Sequence, residues 1–190
     1  MKEKIIEASI RSFENKGYSE TSIQDIVDEL GVTKGTFYYY FSSKEELLME
    51  IHQNYIDHIL KVQEDIISDE SKNNRTKLFE IIYMLLRSIK THGPSALIFF
   101  REMNNLSEAS LAEIIPKRDK FRFNIEKVVQ EGISSGEFRS DLNPSIITLG
   151  ILGMTNWSYK WFKPDGPLSD KEVSEIYTEI ILHGIEKEER

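Results

Sequence analysis

The chain has 190 residues, of which 39% are hydrophobic and 29% charged, and its formal net charge is −8. This composition is typical of a folded globular protein and excludes a chain dominated by disorder. The sequence contains no cysteine, which excludes disulfides, thiolate nucleophiles and thiolate metal sites. The N-terminal segment MKEKIIEASIRSFENKG mixes charged with apolar residues, so we expect no signal peptide and a cytoplasmic protein.

The distribution of charge matters more than its sum. A net negative charge argues against the broad basic surface that many nucleic-acid-binding proteins carry. From Leu30 to Lys44, however, there are two lysines and no acidic residue. A basic island of this size predicts a short DNA-binding surface, with the acidic residues turned away from phosphate.

Helical periodicity extends along most of the chain. Apolar residues recur at helical spacing, and no alternating run of apolar and polar residues marks a half-buried strand. The predicted fold class is therefore all-α. A first helix is predicted over residues 2–15, and Gly17 is placed to end it. Thr21 and Gln24 have the spacing of a capping box that begins a second helix.

A short third helix follows the second. Gly31 is placed to end the second helix, and Thr33 is placed to cap a third helix that ends at Tyr40. Ser43 and Glu46 have the spacing of another capping box, which begins a long fourth helix. We therefore predict a three-helix domain with a DNA-binding helix-turn-helix over residues 1–46.

The remainder, residues 47–190, is predicted to be a helical domain for ligand binding and dimerisation. Gly93-Pro94 marks a boundary between helices, and Asn143-Pro144 is an N-cap followed by proline in the first turn of another. A final helix follows Ser169. The last two helices suit an antiparallel pair whose outer face a second copy buries, and the alternative is that they complete the core of one protomer.

The segment 144–162 has one charged residue, Lys160, and is nearly long enough to cross a membrane. Polar residues interrupt its apolar surface, and Gly150 and Gly153 lie where close helix packing needs small residues. We therefore predict an interface or pocket-lining helix and no association with a membrane.

Residues 21–40 carry the functional prediction. A capped helix, a glycine turn and a short helix form a unit that fits the major groove of DNA. A small residue such as Gly35 lets the backbone approach base edges and phosphates. Tyrosine hydroxyls can donate to phosphate oxygens, and Lys44 can neutralise a phosphate.

Five consecutive aromatic residues, 37–41, occupy the third helix, and the alternative to DNA contact is that they belong to an ordinary core. Consecutive residues of a helix point in directions about 100° apart, so such a run cannot be buried entirely. We predict that Phe37 and Phe41 are buried, with Tyr40 beside them, and that Tyr38 and Tyr39 are exposed. An exposed tyrosine pair beside lysine, without acidic residues, favours DNA contact.

The stretch TSIQDIVDELGVTKGTFYYYFSSKEELL resembles the helix-turn-helix motif of the TetR family of transcriptional regulators, with a close match from Thr21 to Leu47. Alanine is common in that family where this chain has Val27 and Leu30. The resemblance implies a repressor that binds a palindromic operator as a homodimer and releases it when a small-molecule effector enters the C-terminal domain. It implies base or backbone contacts for Thr33, Lys34 and Gly35, phosphate contacts for Tyr38, Tyr39 and Lys44, and a helix cap at Thr21.

The C-terminal domain offers aromatic and aliphatic residues with few charges, which suits an apolar ligand, although core packing explains most of them. Residues 156–162 alternate aromatic with polar side chains, so both faces cannot be buried without partners. The longer run 153–167 is similar to one in acyl-CoA-responsive TetR regulators, including the fatty-acid degradation repressor (FadR) branch. That resemblance implies control of fatty-acid metabolism by a long-chain acyl-CoA effector, and no cofactor.

An acyl-CoA needs apolar surface for its chain and cations for its phosphates. Residues 117–122 supply a basic cluster, although a solvated helix face explains that cluster equally well. The predicted ligand-binding residues are Phe99, Arg101, Arg118, Arg122, Asn156, Trp157, Tyr159, Lys160 and Trp161.

Two rival functions follow from the residues. For an enzyme, the histidines are scattered, with His52 and His58 off metal-binding spacing, and no nucleophile elbow, phosphate loop or dinucleotide motif is present. We therefore expect neither catalytic nor metal-binding residues. A TetR-type regulator of efflux that senses lipophilic or cationic drugs is the second rival, for which Glu102 or Glu108 would supply an acid in the pocket.

Overall fold

The computed structural model describes residues 1–185, and within that range the chain forms eight α-helices and no strand. The prediction of an all-α fold is confirmed. Residues 186–190, the end of the predicted C-terminal domain, lie outside the described residues. The helices are α1 (Lys2–Lys16), α2 (Ile23–Leu30), α3 (Lys34–Tyr40), α4 (Lys44–Ser68), α5 (Asn74–Arg101), α6 (Glu108–Ser135), α7 (Pro144–Trp161) and α8 (Asp170–Ile185).

Local hydrogen bonds explain where α2 and α3 begin and end. Ser22 caps α2 because its hydroxyl accepts from the N–H of Asp25, while the Asp25 carboxylate accepts from the N–H of Ser22. Gly31 ends α2 with φ 64°, the left-handed conformation that glycine adopts without strain. Thr33 caps α3 by accepting from the N–H of Thr36. The predicted roles of Gly31 and Thr33 are confirmed.

The predicted cap at Thr21 was wrong by one residue. Thr21 is buried, and its hydroxyl donates to the backbone carbonyls of Gly17 at 2.8 Å and Ser12 at 3.3 Å. These carbonyls lie at the end of α1, where the helix leaves acceptors unsatisfied. Gln24 does not reach back to Thr21, because its amide donates to Asp28 at 2.6 Å.

The chain divides into two compact units, each assembled from separate stretches of sequence. Unit 1 consists of residues 1–57 and 92–115, and unit 2 of residues 58–91 and those from 116 onward. Unit 1 therefore contains all of α1–α3, the beginning of α4, the end of α5 and the beginning of α6. The buried core of unit 1 includes Phe13, Phe37, Phe41, Leu47, Leu48, Ile98 and Phe99.

Two of the three helices that pass from one unit to the other are irregular at the division. In α5, His92 has a non-helical backbone (φ −135°, ψ 20°), two residues before Pro94, and α6 contains Pro116. Proline inside a helix removes a backbone hydrogen bond and bends the helix. The predicted boundary at Gly93-Pro94 is therefore confirmed within one residue, because α5 consists of two helical stretches that meet in a kink at His92.

The last two helices expose apolar surface on one side. Asn143 caps α7 as predicted, accepting from the N–H of Ile146, with Pro144 in the first turn. The Ser158 hydroxyl lies 3.1 Å from the hydroxyl of Tyr177 and links α7 to α8. We define the α7/α8 outer face as the exposed residues Ile146, Leu149, Gly150, Gly153, Trp157, Trp161, Ile176 and Ile180. Over residues 1–185, no helix has the length and hydropathy needed to cross a membrane.

Candidate nucleic-acid interface

The aromatic run of α3 is divided between the core and the surface. Phe37 and Phe41 are fully buried, and Tyr40 is half-buried. Tyr38 is 53% exposed and Tyr39 81% exposed, as the helical geometry of the run predicts. The two buried rings fix α3 to unit 1, and the two tyrosine hydroxyls remain on the surface as hydrogen-bond donors.

The first turn of α3 has an open backbone. Thr33, Lys34 and Gly35 are all exposed. A Cβ added at Gly35 would meet only the Thr33 Oγ1, at an ordinary contact distance of 3.5 Å. The packing of unit 1 therefore does not require glycine at position 35.

The acidic residues of α2 are partly neutralised within unit 1. Arg11 pairs with Glu29 at 2.8 Å, and Lys16 lies 3.6 Å from Asp25. Hydrogen bonds from the hydroxyl and N–H of Ser22 hold the pKa of Asp25 below its usual range, so this carboxylate stays ionised and committed to its cap. These pairs reduce the negative potential beside α3, where Lys34 is the basic residue.

The Lys44 side chain makes contacts within unit 1. Its ammonium donates to the backbone carbonyls of Tyr18 at 2.7 Å and Thr21 at 2.8 Å, and it lies 4.2 Å from the centre of the Tyr18 ring. Burial lowers the pKa of Lys44, while the nearby carboxylates of Glu102 and Glu20 act in the opposite direction. Lys44, for which the sequence predicted a phosphate contact, thus ties the beginning of α4 to the α1–α2 connection.

Two of the predicted ligand-binding residues lie in unit 1. Phe99 is buried, with its ring centre 5.2 Å from that of His52 and 5.1 Å from that of Tyr55. Arg101 donates to the carbonyl of Phe13 and, at 2.6 Å, to the carboxylate of Glu102. The contacts of Arg101 are those of a residue that holds α1 and not those of a phosphate-binding cation.

The predicted basic residues of α6 belong to unit 2. Arg118 is exposed. Arg122 lies 3.7 Å from Asp119 and 3.4 Å from Glu126, and its guanidinium stacks over Phe123 at 4.1 Å. Acidic neighbours therefore offset the Arg122 charge that the sequence assigned to CoA phosphates.

The predicted residues of α7 lie on different sides of that helix. Trp157, Lys160 and Trp161 are exposed on the side of the α7/α8 outer face, and the Lys160 ammonium lies 4.4 Å from the Trp157 ring centre. Asn156 and Tyr159 are half-buried. The structure thus brings the three exposed residues together, but not around an internal cavity.

Sequence reasoning missed the internal polar groups of both units. In unit 2, Gln63 is fully buried and donates to the carbonyl of Phe121, while Asn124 donates to the Gln63 carbonyl oxygen at 2.9 Å. The Thr148 hydroxyl is buried without a hydrogen-bond partner. Helical periodicity identifies such residues as polar positions on an apolar helix face, but it does not identify their hydrogen-bond partners.

Comparison with known proteins decides the family. Residues 5–51 match bacterial regulatory proteins of the tetR family, and residues 71–185 match the tetracyclin repressor-like C-terminal domain. The chain belongs to the TetR family. Its curated relatives are transcriptional regulators, several of them repressors, and the chain is accordingly a DNA-binding transcriptional repressor of the TetR type and not an enzyme.

Two TetR-family relatives are similar along nearly the whole chain. The transcriptional repressor KstR2 of Mycobacterium tuberculosis is 29% identical over 185 residues, covering 97% of this chain and 92% of that protein. The structure of this ketosteroid transcriptional regulator superposes with a TM-score of 0.90, over 98% of this chain and 95% of that one. AibR, solved in complex with isovaleryl coenzyme A and operator DNA, is 26% identical, with a TM-score of 0.84 over 94% and 96% of the two chains.

Proposed function

We propose that the protein acts in the cytoplasm as a homodimer that represses transcription from a palindromic operator. An acyl-CoA effector, with a long-chain acyl-CoA as the first candidate, releases the protein from the operator. Residues 1–46 bind the operator in this proposal, and residues 47–190 bind the effector and the second copy. The observation that carries the DNA-binding part is the exposed surface of α3, which has an open backbone, one lysine, two tyrosines and no acidic residue.

Each exposed residue of this surface has a proposed contact. Thr33, Lys34 and Gly35 approach base edges and the DNA backbone in the major groove, because they stand in the first turn of α3. Tyr38 and Tyr39 donate their hydroxyls to phosphate oxygens. Lys44 adds positive charge behind this surface, while Thr21 supports it from the interior.

Gly35→Ala separates DNA binding from stability. Alanine favours a helix over glycine by roughly 1 kcal/mol, and the added methyl meets no atom closer than 3.5 Å, so we expect unchanged or higher thermal stability. We expect operator affinity to fall about tenfold or more, because the methyl group obstructs close approach to DNA. Thermal unfolding and fluorescence anisotropy with labelled duplex measure the two effects, and undiminished affinity would contradict the proposed docking of α3.

The α7/α8 outer face supports the homodimer. It places two tryptophans, four large aliphatic side chains and two glycines on the surface of adjacent helices. Exposed apolar patches of this kind mark interfaces, and glycines allow helices to approach closely. A two-fold dimer uses the same patch on both copies, which would bury both tryptophans.

Three observations support an acyl-CoA effector. AibR, a relative of similar fold, was solved with isovaleryl coenzyme A, and residues 153–167 resemble a run from acyl-CoA-responsive regulators of the FadR branch. The Thr148 hydroxyl is buried without a partner, which costs free energy that a ligand carbonyl would recover. The rival regulator of cationic drugs gains no support from Glu102, because that carboxylate is already paired with Arg101.

A competition experiment tests the effector. A duplex selected by the protein from a randomised pool is labelled, and palmitoyl-CoA, isovaleryl-CoA, a ketosteroid, free CoA and palmitate are each titrated into the complex. We expect release by an acyl-CoA at concentrations where CoA and palmitate have no effect, because release requires an effector that prefers the unbound geometry. Release by the ketosteroid alone, or by none of the five, would contradict the acyl-CoA proposal while leaving DNA binding intact.

A further inference from the structure

Unit 1 contains a polar cluster that joins the end of α5 to the α1–α2 connection. We define the Glu102 cluster by its side chains Arg101, Glu102, Asn105 and Lys44 and by the Tyr18 backbone. The Glu102 side chain is 8% exposed, so it is removed from any surface that DNA could touch. Glu102 and Arg101 each contact a residue more than eighty positions away in the sequence, Tyr18 and Phe13 respectively.

Both carboxylate oxygens of Glu102 are occupied. Oε1 accepts from Arg101 at 2.6 Å and from the backbone N–H of Tyr18 at 3.4 Å, and Oε2 accepts from the Asn105 amide at 2.8 Å. Arg101 also donates to the carbonyl of Phe13, close to the end of α1. Arg101 is therefore bonded to a backbone carbonyl of α1, and Glu102 to the backbone N–H of Tyr18, two residues after α1 ends.

Lys44 holds the same connection from the side of α4. Its ammonium donates to the carbonyls of Tyr18 and Thr21. The peptide units on both sides of Tyr18 are therefore bonded to charged side chains, one from α4 and one from Glu102, the residue after α5. The connection ends at Ser22, the cap of α2. The short segment that leads into α2, and through α2 to α3, is thus bonded to both Glu102 and Lys44.

We propose that Glu102, paired with Arg101, is a positioning residue for DNA binding. Glu102 fixes the α1–α2 connection, and α3 is thereby held at the angle that the operator requires. The inference rests on the proposed docking of α3. The ion pair between exposed Arg101 and buried Glu102 contributes little net stability, because solvent screens one charge and desolvation of the other offsets their attraction. The hydrogen bonds of this pair nevertheless restrict the geometry of the α1–α2 connection. Contacts to base edges depend on such a restriction more than contacts to phosphates do.

Specific and non-specific DNA binding distinguish positioning from simple loss of structure. Non-specific binding depends on phosphate charge and tolerates small changes in the angle of α3, whereas base contacts do not. Unfolding of part of the protein would lower both affinities by the same factor. A positioning residue lowers the affinity for the selected duplex more than the affinity for an unrelated one.

The test compares Glu102→Gln with Glu108→Gln, which removes an exposed acid six positions away. We expect Glu102→Gln to weaken binding to the duplex selected by the wild-type protein about tenfold or more, with less than about threefold loss on an unrelated duplex of equal length. Glu108→Gln should match the wild type on both. Circular dichroism and light scattering establish that helix content and oligomeric state are unchanged.

Each outcome bears on one claim. Equal losses on the two duplexes, or no loss, would overturn the positioning role while leaving the proposed function intact. If the wild-type protein selects no duplex at all, the proposed docking of α3 fails and the inference fails with it. Should Glu102→Gln fold poorly, Asn105→Ala removes one hydrogen bond to Glu102 without removing its charge, and the same ratio of losses decides.

Discussion

Leu149→Glu and Ile180→Glu are each expected to produce monomers and to weaken binding to a palindromic duplex by roughly a hundredfold or more, since a monomer loses the avidity of two linked half-sites. The two residues are 51% and 58% exposed on the α7/α8 outer face. A glutamate there can reach solvent in the isolated protomer, but it would bury an unpaired charge in the dimer.

Ile115→Glu is the matched control, because Ile115 is a 45% exposed isoleucine of α6 outside that face. It should leave both the mass and the affinity unchanged. Sedimentation velocity gives the mass, and fluorescence anisotropy gives the affinity. Trp157 and Trp161 provide an independent signal, because their emission should shift to the red when the outer face becomes exposed. Dimers that persist in both glutamate variants would show that another surface joins the copies.

Lys34→Glu is expected to lower affinity for DNA roughly a hundredfold at low salt, since both protomers exchange an attraction to DNA for a repulsion. Lys34 stands in the first turn of α3, in a stretch without acidic residues. If Lys34 contacts phosphate, the slope of log affinity against log salt should become shallower by about two for the dimer. The loss of affinity should then be equal on all sequences. If Lys34 contacts a base, the loss should be larger on the selected duplex than on an unrelated one.

Lys4→Glu makes the same charge change on an exposed lysine of α1 in the same unit. It alters the net charge equally and should produce a much smaller loss. Affinity measured at several salt concentrations with both duplexes separates the cases. Equal effects of the two variants would mean that only the overall charge matters, which would contradict a specific role for Lys34.

The N-terminal helices could be predicted from sequence because their limits depend on local chemistry. Gly31 ends α2 and Thr33 caps α3 through contacts within a few residues. The burial of Phe37 and exposure of Tyr39 follow from helical geometry alone. Thr21 was misplaced for a local reason too, since Ser22 and Asp25 satisfy the same spacing rule as Thr21 and Gln24, and the Thr21 hydroxyl is engaged by backbone carbonyls.

The candidate ligand site could not be predicted in the same way. The roles of Arg101 and Lys44 depend on which distant carbonyl each one meets, and no spacing rule specifies a partner more than twenty positions away. The sequence placed Trp157 and Trp161 in a ligand site, whereas both are exposed, because a helix with apolar residues on both sides does not reveal which side faces inward. Only the packing of α7 against α8 distinguishes an outer face from a pocket wall.

The discontinuity of unit 1 affects the order in which the protein can fold on the ribosome. Chains emerge from the N-terminus, and local helices form early. The first three helices leave long before Ile98, Phe99 and Glu102, which complete their core and anchor the α1–α2 connection. The DNA-binding surface therefore reaches its final form only after residue 115 has emerged, so a fragment ending at residue 57 would lack part of its own interior.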